Sequence, residues 1–373
     1  MIKKEVGFGI LFVILLFIFV AGCDMLQKED KKGVAEEFKR GPSGLIMQFV
    51  PNYPADSYLL SQQEEEISVL IDVRNKGTSP EDGQFKEGEG AIYISGFDDG
   101  IIGMTSKSKD LSKMFLPSAS PINPLGGFDT VEFDGEIKSA EITIDEYNPT
   151  IMATACYPYV TKASPTVCID PNPFDTKSEK VCTIGSQTLS TQGAPIAVTK
   201  IDQEAARNKI QFRIHIKNVG DGDVLKQGAD KDDNKILDKC SPLGGGLLGR
   251  KDFDRVEVQK IMVGGVDLLG TKKCSPFAED TNNIMRLFDG EGFVICTLTV
   301  SKLGTTQSAY TTPLNIELAY NYRSTISKPI RIQKLTTIDD YDEEKGQGGG
   351  SSEPPPIPSL ENQCWSEDCF FEN

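Results

Sequence analysis

Histidine occurs once in this chain of 373 residues, at position 215, and tryptophan once, at position 365. A lone histidine removes most routes to hydrolytic catalysis and to zinc. A serine or cysteine nucleophile needs an imidazole beside it, and an HExxH helix needs two of them. The nine cysteines include no C-x-x-C pair, so a thiolate metal cage has no support. Basic residues are outnumbered, 39 against 55 acids, for a formal net charge of -16. Phosphate backbones are held by clustered Lys and Arg, so nucleic acid is not an expected partner. No long stretch keeps the 3.6-residue period of an amphipathic helix.

What is present starts at the N-terminus. Lys3 and Lys4 precede an uncharged run from Val6 to Gly22, followed by Cys23 and Asp24. A basic start, an apolar stretch and a small-residue end describe an export signal. Val20-Ala21-Gly22-Cys23 resembles the lipobox of prokaryotic lipoproteins, and the resemblance implies that Cys23 is lipidated and becomes the new N-terminus. The alternative is an uncleaved anchor helix, for which the run is short against a hydrocarbon layer of about 30 Å. Either way residues 1–23 are signal or anchor, the membrane is a partner, and the rest stands on its extracytoplasmic face, at the cell surface or in the periplasm.

Outside the cytoplasm the other eight cysteines are disulfide candidates. Cys156 and Cys168 would lie opposite each other if a hairpin turned near Lys162. Cys240 and Cys274 share an enlarged interval, Cys364 and Cys369 enclose four residues near the C-terminus, and Cys182 with Cys296 remain by elimination.

Residues 24–41 are charged and aperiodic, as a tether is. The tail, 336–373, is acidic, then rich in Gly, Ser and Pro, and is expected to be disordered. Between these ends apolar residues alternate, as in Ile67, Val69, Ile71 and Val73, and again in Ile210, Phe212, Ile214 and Ile216. That is the period of half-buried strands, and the class is all-β.

Three signatures recur in order. ISVLIDVRNKG (67–77) matches IQFRIHIKNVG (210–220), FDGE at 133–136 recurs at 288–291, and CYPYVTKASPTVCI (156–169) aligns on AYNYRSTISKPIRI (319–332). The spacing predicts two tandem β-sandwich domains, 42–170 and 190–335, joined by a linker at 171–189, the second domain carrying enlarged loops. A strand ending in Asn-x-Gly in a sandwich of this size is similar to the Ig-like modules of the cell-adhesion-related domain type on bacterial and archaeal surfaces. The resemblance implies an Ig-like fold used for adhesion and as a spacer; it implies no particular partner.

Few residues carry chemistry. Asp230, Asp232 and Asn234 have the alternate spacing that begins a calcium loop, but Lys235 stands where the turn needs glycine and Ser241 where it needs glutamate. Calcium is therefore the only cofactor with any footing, and a solvated acidic insertion is the plainer reading. Ser106 and Lys109 match S-x-x-K without its companion motifs. Tyr157, Tyr159, Tyr320 and Tyr322 are expected to be core, with a carbohydrate platform as the alternative. Trp365, Phe370 and Phe371 form an aromatic knob suited to docking on a partner. The expected function is a non-enzymatic, membrane-anchored surface protein, a spacer and binding module for an unidentified surface protein or glycan. The alternatives are an envelope ligand- or cation-binding lipoprotein and, third, an extracellular hydrolase working through carboxylates.

Overall fold

The computed structural model describes residues 41–335 apart from 62, 139–144, 175–178, 207, 228–238, 245–247, 280–281 and 301–307. Cys23, Asp230, Asp232, Asn234, Cys364, Trp365, Cys369, Phe370 and Phe371, with the expected leader, the tether through residue 40 and the tail from 336, lie outside the described residues.

The first repeat forms β1 (Leu45–Phe49), β2 (Ser57–Leu60), β3 (Glu65–Asn75), β4 (Ala91–Ser95), β5 (Ile102–Met104), β6 (Ser108–Asp110), β7 (Phe128–Ile137), β8 (Glu146–Tyr147), β9 (Thr150–Ala163) and β10 (Thr166–Ile169). The second adds β11 (Gln187–Thr188), β12 (Ile196–Ala206), β13 (Lys209–Asn218), β14 (Asp223–Leu225), β15 (Arg255–Val263), β16 (Val266–Asp267), β17 (Cys274–Ser275), β18 (Ile284–Arg286), β19 (Glu291–Thr299), β20 (Tyr310–Pro329) and β21 (Arg331–Lys334). The all-β class holds, and the alternation lies where it was read: Ile67, Val69, Ile71 and Val73 of β3 and Ile210, Phe212, Ile214 and Ile216 of β13 are buried, with polar neighbours turned outward.

The strands build sheets packed in sandwich fashion, antiparallel except where β2 runs parallel to β21. One repeat supplies a four-stranded sheet, β1-β3-β7-β5, and the other a five-stranded sheet, β11-β12-β13-β19-β17. The largest sheet belongs to both: its order is β16-β15-β20-β9-β4-β6, with β10 and β14 on β20 and β18 on β15. A small sheet, β2-β21-β8, ties the start of the first repeat to the end of the second. One buried apolar cluster runs from Leu45 to Ile332 through both repeats, and the described residues as far as Lys334 form one compact unit.

The joint between the repeats is a single long ladder. Strand β20 pairs with β9 from Pro329 opposite Thr150 to Ile316 opposite Ala163, and the same register resumes in β10, where Thr166 faces Pro313. Only Ser164-Pro165 interrupts it. Proline has no N–H to give a ladder, but the Pro165 carbonyl still accepts from Leu314 N at 2.8 Å. Tyr157 faces Tyr322 and Tyr159 faces Tyr320, with Pro158 opposite Asn321 between them. Since Tyr157 aligns with Tyr320 and Tyr159 with Tyr322 in the repeat, an approximate twofold axis passes through the Pro158 and Asn321 pair.

The four tyrosines pack edge to face or tilted, with ring centroids 5.9 to 6.5 Å apart. They are core, as expected, and each hydroxyl accepts a backbone hydrogen bond. Leu45 N donates to Tyr157 at 3.1 Å and Ile196 N to Tyr320 at 3.2 Å, each closing the leading strand of its repeat onto the shared sheet. Thr78 N donates to Tyr159 at 2.8 Å and Gly222 N to Tyr322 at 2.6 Å. The first and third sequence signatures are thus one device. In Asn-x-Gly the asparagine turns the chain, Gly77 N and Gly220 N donating to Asn75 Oδ1 and Asn218 Oδ1 at 3.1 and 3.2 Å. Glycine is required because a Cβ at Gly77 or Gly220 would strike the tyrosine hydroxyl docked there. Buried rings have no face to offer, so the carbohydrate platform on these tyrosines is excluded.

The two copies of the device differ. Asn75 is fully buried, and its Nδ2 reaches both Leu116 O at 2.9 Å and Ser79 O at 3.2 Å. Asn218 is half-buried and donates to Gly222 O at 2.9 Å. Asn75→Ala strands buried carbonyls, so its expected cost in urea unfolding is about 3 kcal/mol, against about 1 to 2 kcal/mol for Asn218→Ala. Equal losses would mean that burial does not set the difference.

The second signature does not superimpose. Ile67 lies opposite Gly135, and its counterpart Ile210 opposite Leu298. The structural partner of Gly135 is therefore Leu298, not Gly290. Phe133 to Glu136 sit inside β7, whereas Phe288 to Glu291 form a two-residue turn in which Asp289 and Gly290 have φ of 51° and 76°. Asp-Gly is turn grammar in the second copy alone. Asp134 and Glu136 accordingly lie within β7, while Asp289 sits in the turn and Glu291 begins β19.

Six of the expected disulfide cysteines are bridged, with other partners. Cys156 pairs with Cys240, Cys168 with Cys182, and Cys274 with Cys296. The expected Cys156 to Cys168 bridge fails because no hairpin forms at Lys162: the strand runs on into β10, carrying the two cysteines apart along one ladder. Cys274 lies directly opposite Cys296 on β19, which removes both from the pairs expected for them. The enlarged interval of the second repeat falls mainly between Gly220 and β15, and Cys156–Cys240 staples it to the shared sheet beside Leu225, Tyr93, Leu248 and Phe253.

Candidate functional site

The single histidine has a partner that the sequence did not reveal. His215 Nε2 lies 2.7 Å from Asp202 Oδ2, and the other carboxylate oxygen takes Lys200 Nζ at 2.7 Å and Ser186 Oγ at 2.6 Å. Hydrogen bonds from Lys200 first, then Ser186 and His215, hold the Asp202 carboxyl well below the usual range. In a serine hydrolase the imidazole stands between acid and nucleophile. Here the carboxylate stands between imidazole and hydroxyl, so the arrangement fixes the side chains and leaves Ser186 without a base in this group.

The other chemistry-bearing positions are likewise apart. Ser106 Oγ donates to Ser108 O at 2.9 Å within its own turn, and Lys109 Nζ lies 5.7 Å from the centre of the Phe133 ring. Asp134 accepts from Ser68 Oγ at 3.1 Å on the open face of β3 and β7, and Glu291 is paired with Lys217 at 2.6 Å.

A cleft of about 660 Å³ opens beside His215, between β13 and β19 of the five-stranded sheet and β15 and β18 of the shared sheet. Pro276, Phe277 and Ala278 form its lip, held in place by the Cys274–Cys296 bridge that fastens β17 to β19. Its walls are mainly apolar: Met285, Phe277, Phe288 and Phe293, the last two 67% and 41% exposed.

Three cationic or imidazole side chains line the same space. Arg255 and Arg286 stand directly opposite each other across the β15 and β18 pair, and His215 faces them from β13. Like charges placed opposite across strands repel. Arg286 lies over the Phe288 ring at 4.8 Å and Arg213 over Phe293 at 5.0 Å. Arg255 is different: its Nε and Nη1 are shut off from solvent and have no hydrogen-bond partner. The lining carboxylate, Glu291, is already neutralised by Lys217, and among the described residues neither arginine has an acidic partner. Sequence reading missed this group because nothing in spacing brings positions 215, 255 and 286 together. Only the meeting of two sheets does.

Neither protein-family models nor curated proteins gave a match to the chain.

Proposed function

We propose that the chain is a non-enzymatic, membrane-anchored surface protein whose two Ig-like sandwiches act together as a stiff spacer and as a binding module for a surface protein or glycan. The observation that supports this best is the ladder of β9, β10 and β20. Modules joined by a loose linker swing, whereas modules sharing a sheet hold one orientation and present a surface at a fixed distance. Signal-like residues 1–23 and Cys23 supply the anchor in this reading, and the bridged cysteines fit an oxidising exterior.

A second reading, an envelope lipoprotein that captures a small ligand, draws support from the cleft beside His215. Both readings share one test. The full chain and its Cys23→Ala variant are produced in a prokaryotic host with labelled palmitate, fractionated and shaved with protease on intact cells or spheroplasts. The expected result is a labelled chain in the membrane fraction that external protease removes, with label lost and membrane retention strongly reduced in Cys23→Ala. A chain protected from external protease would overturn the surface placement.

A further inference from the structure

We infer that the cleft between β13, β15, β18 and β19 is a binding site for an apolar carboxylate, a planar anion carried on an aromatic or aliphatic body. It goes beyond surface presentation and stands whether or not the chain is anchored.

Charge argues for the anion. A guanidinium withdrawn from water without an acceptor is costly, and buried cations in proteins are ordinarily paired. Arg255 has two such nitrogens, and its cross-strand neighbour is a second arginine rather than an acid. The chain as a whole carries -16, yet the lining of this cleft nets positive once Glu291 is cancelled by Lys217. An anion in the cleft relieves the repulsion between Arg255 and Arg286 and places a counter-charge beside Arg255, whose Nε and Nη1 are themselves closed to the cleft. Arginine suits a carboxylate because both are planar and can share two parallel hydrogen bonds.

The walls argue for the apolar body. Met285, Phe277, Phe288, Phe293 and Pro276 offer broad hydrocarbon surface, and neutral amide or hydroxyl side chains are missing from the described lining. A polyhydroxylated sugar would find only charged or imidazole partners here, His215, Arg255, Arg286 and the already paired Glu291, and no neutral groups for its remaining hydroxyls. An inorganic anion would leave the rings unused. Ligand pockets with few polar groups on largely apolar walls are the common form of small-molecule site.

The experiment titrates 4-phenylbutyrate by calorimetry into the full chain held in lipid nanodiscs, with empty nanodiscs subtracted. 4-Phenylbutylamine and 4-phenylbutanol serve as the cationic and neutral counterparts. Binding of the acid with a dissociation constant of about 1 mM or tighter is expected, with the alcohol weaker and the amine undetectable. Arg255→Met is expected to weaken the acid at least about tenfold, since a hydrogen bond to a charged group is lost. Its thermal midpoint should not fall, because two buried N–H groups without acceptors have been removed. Should Arg255→Met not fold, Arg286→Gln and Phe288→Ala, both at exposed positions, are each expected to weaken the acid several-fold. N-acetyl-Phe-Phe with a free or an amidated C-terminus then separates a peptide end from a free acid as the source of the carboxylate. No binding of the acid, equal binding of acid and amine, or variants that bind it as the parent does would overturn the inference.

Discussion

Above pH 10 the protein is expected to lose stability at roughly 5 kcal/mol per pH unit and to unfold before its central tyrosines ionise. Burial raises Tyr159 and Tyr322 to about 12 and pushes Tyr157 and Tyr320 well above their ordinary value. An unfolded chain releases each of these protons near pH 10. Below that pH both states hold all four protons and the contribution is fully present. As pH rises, the unfolded state holds fewer, so stability falls until the folded hydroxyls also titrate. Each tyrosine adds about 1.4 kcal/mol per pH unit to the slope, and the four act together because they share one cluster. Phenolate absorbance and circular dichroism followed in one alkaline titration check this. Part of the phenolate signal from the ten tyrosines should appear only with loss of the β-sheet signal. Complete ionisation near pH 10 with the sheets intact would contradict the burial of the quartet.

Removing Cys156–Cys240 is expected to be the costliest disulfide change. The bridge closes a separation of 84 residues, against 14 for Cys168–Cys182 and 22 for Cys274–Cys296. Loop-closure entropy then assigns about 4.5 kcal/mol to the first and about 3 kcal/mol to each of the others. The first also joins β9 of one repeat to the enlarged interval of the other, where Arg323 pairs with Asp223 at 2.6 Å and stacks over Phe253. Double alanine variants unfolded in urea under oxidising conditions should follow that order, and non-reducing peptide mapping of the parent should recover the three pairs. A Cys168/Cys182 variant less stable than the Cys156/Cys240 variant would reverse it.

Much of the architecture is legible in the residues. Alternation marked β3 and β13, and the aligned tyrosines marked the strands that meet at the axis. The FDGE match misled because a tetrapeptide can recur by composition: in β7 its phenylalanine is core, while at 288 it is exposed before a turn. A turn at Lys162 is only the midpoint that would set Cys156 opposite Cys168, and the ladder instead keeps one register past Ser164-Pro165. Cysteine spacing could not name Cys240 as the partner of Cys156, since that contact depends on how an interval folds over a sheet assembled from both repeats. The cleft was least visible. Arg255 and Arg286 become neighbours only through the β15 and β18 register, and Asp202 reaches His215 only through the shifted register of β12 on β13.

The shared ladder also bears on handling. Cut between residues 170 and 190, either half would expose a strand long enough to recruit any matching edge. Because the two edges carry aligned tyrosines about a twofold axis, a half so exposed can pair with a second copy of itself. In the single chain both strands of that pairing are covalently joined, so neither edge is left open, and the two sides can differ: Asn75 is sealed in the core on one, while the other carries the insertion and the arginine-lined cleft.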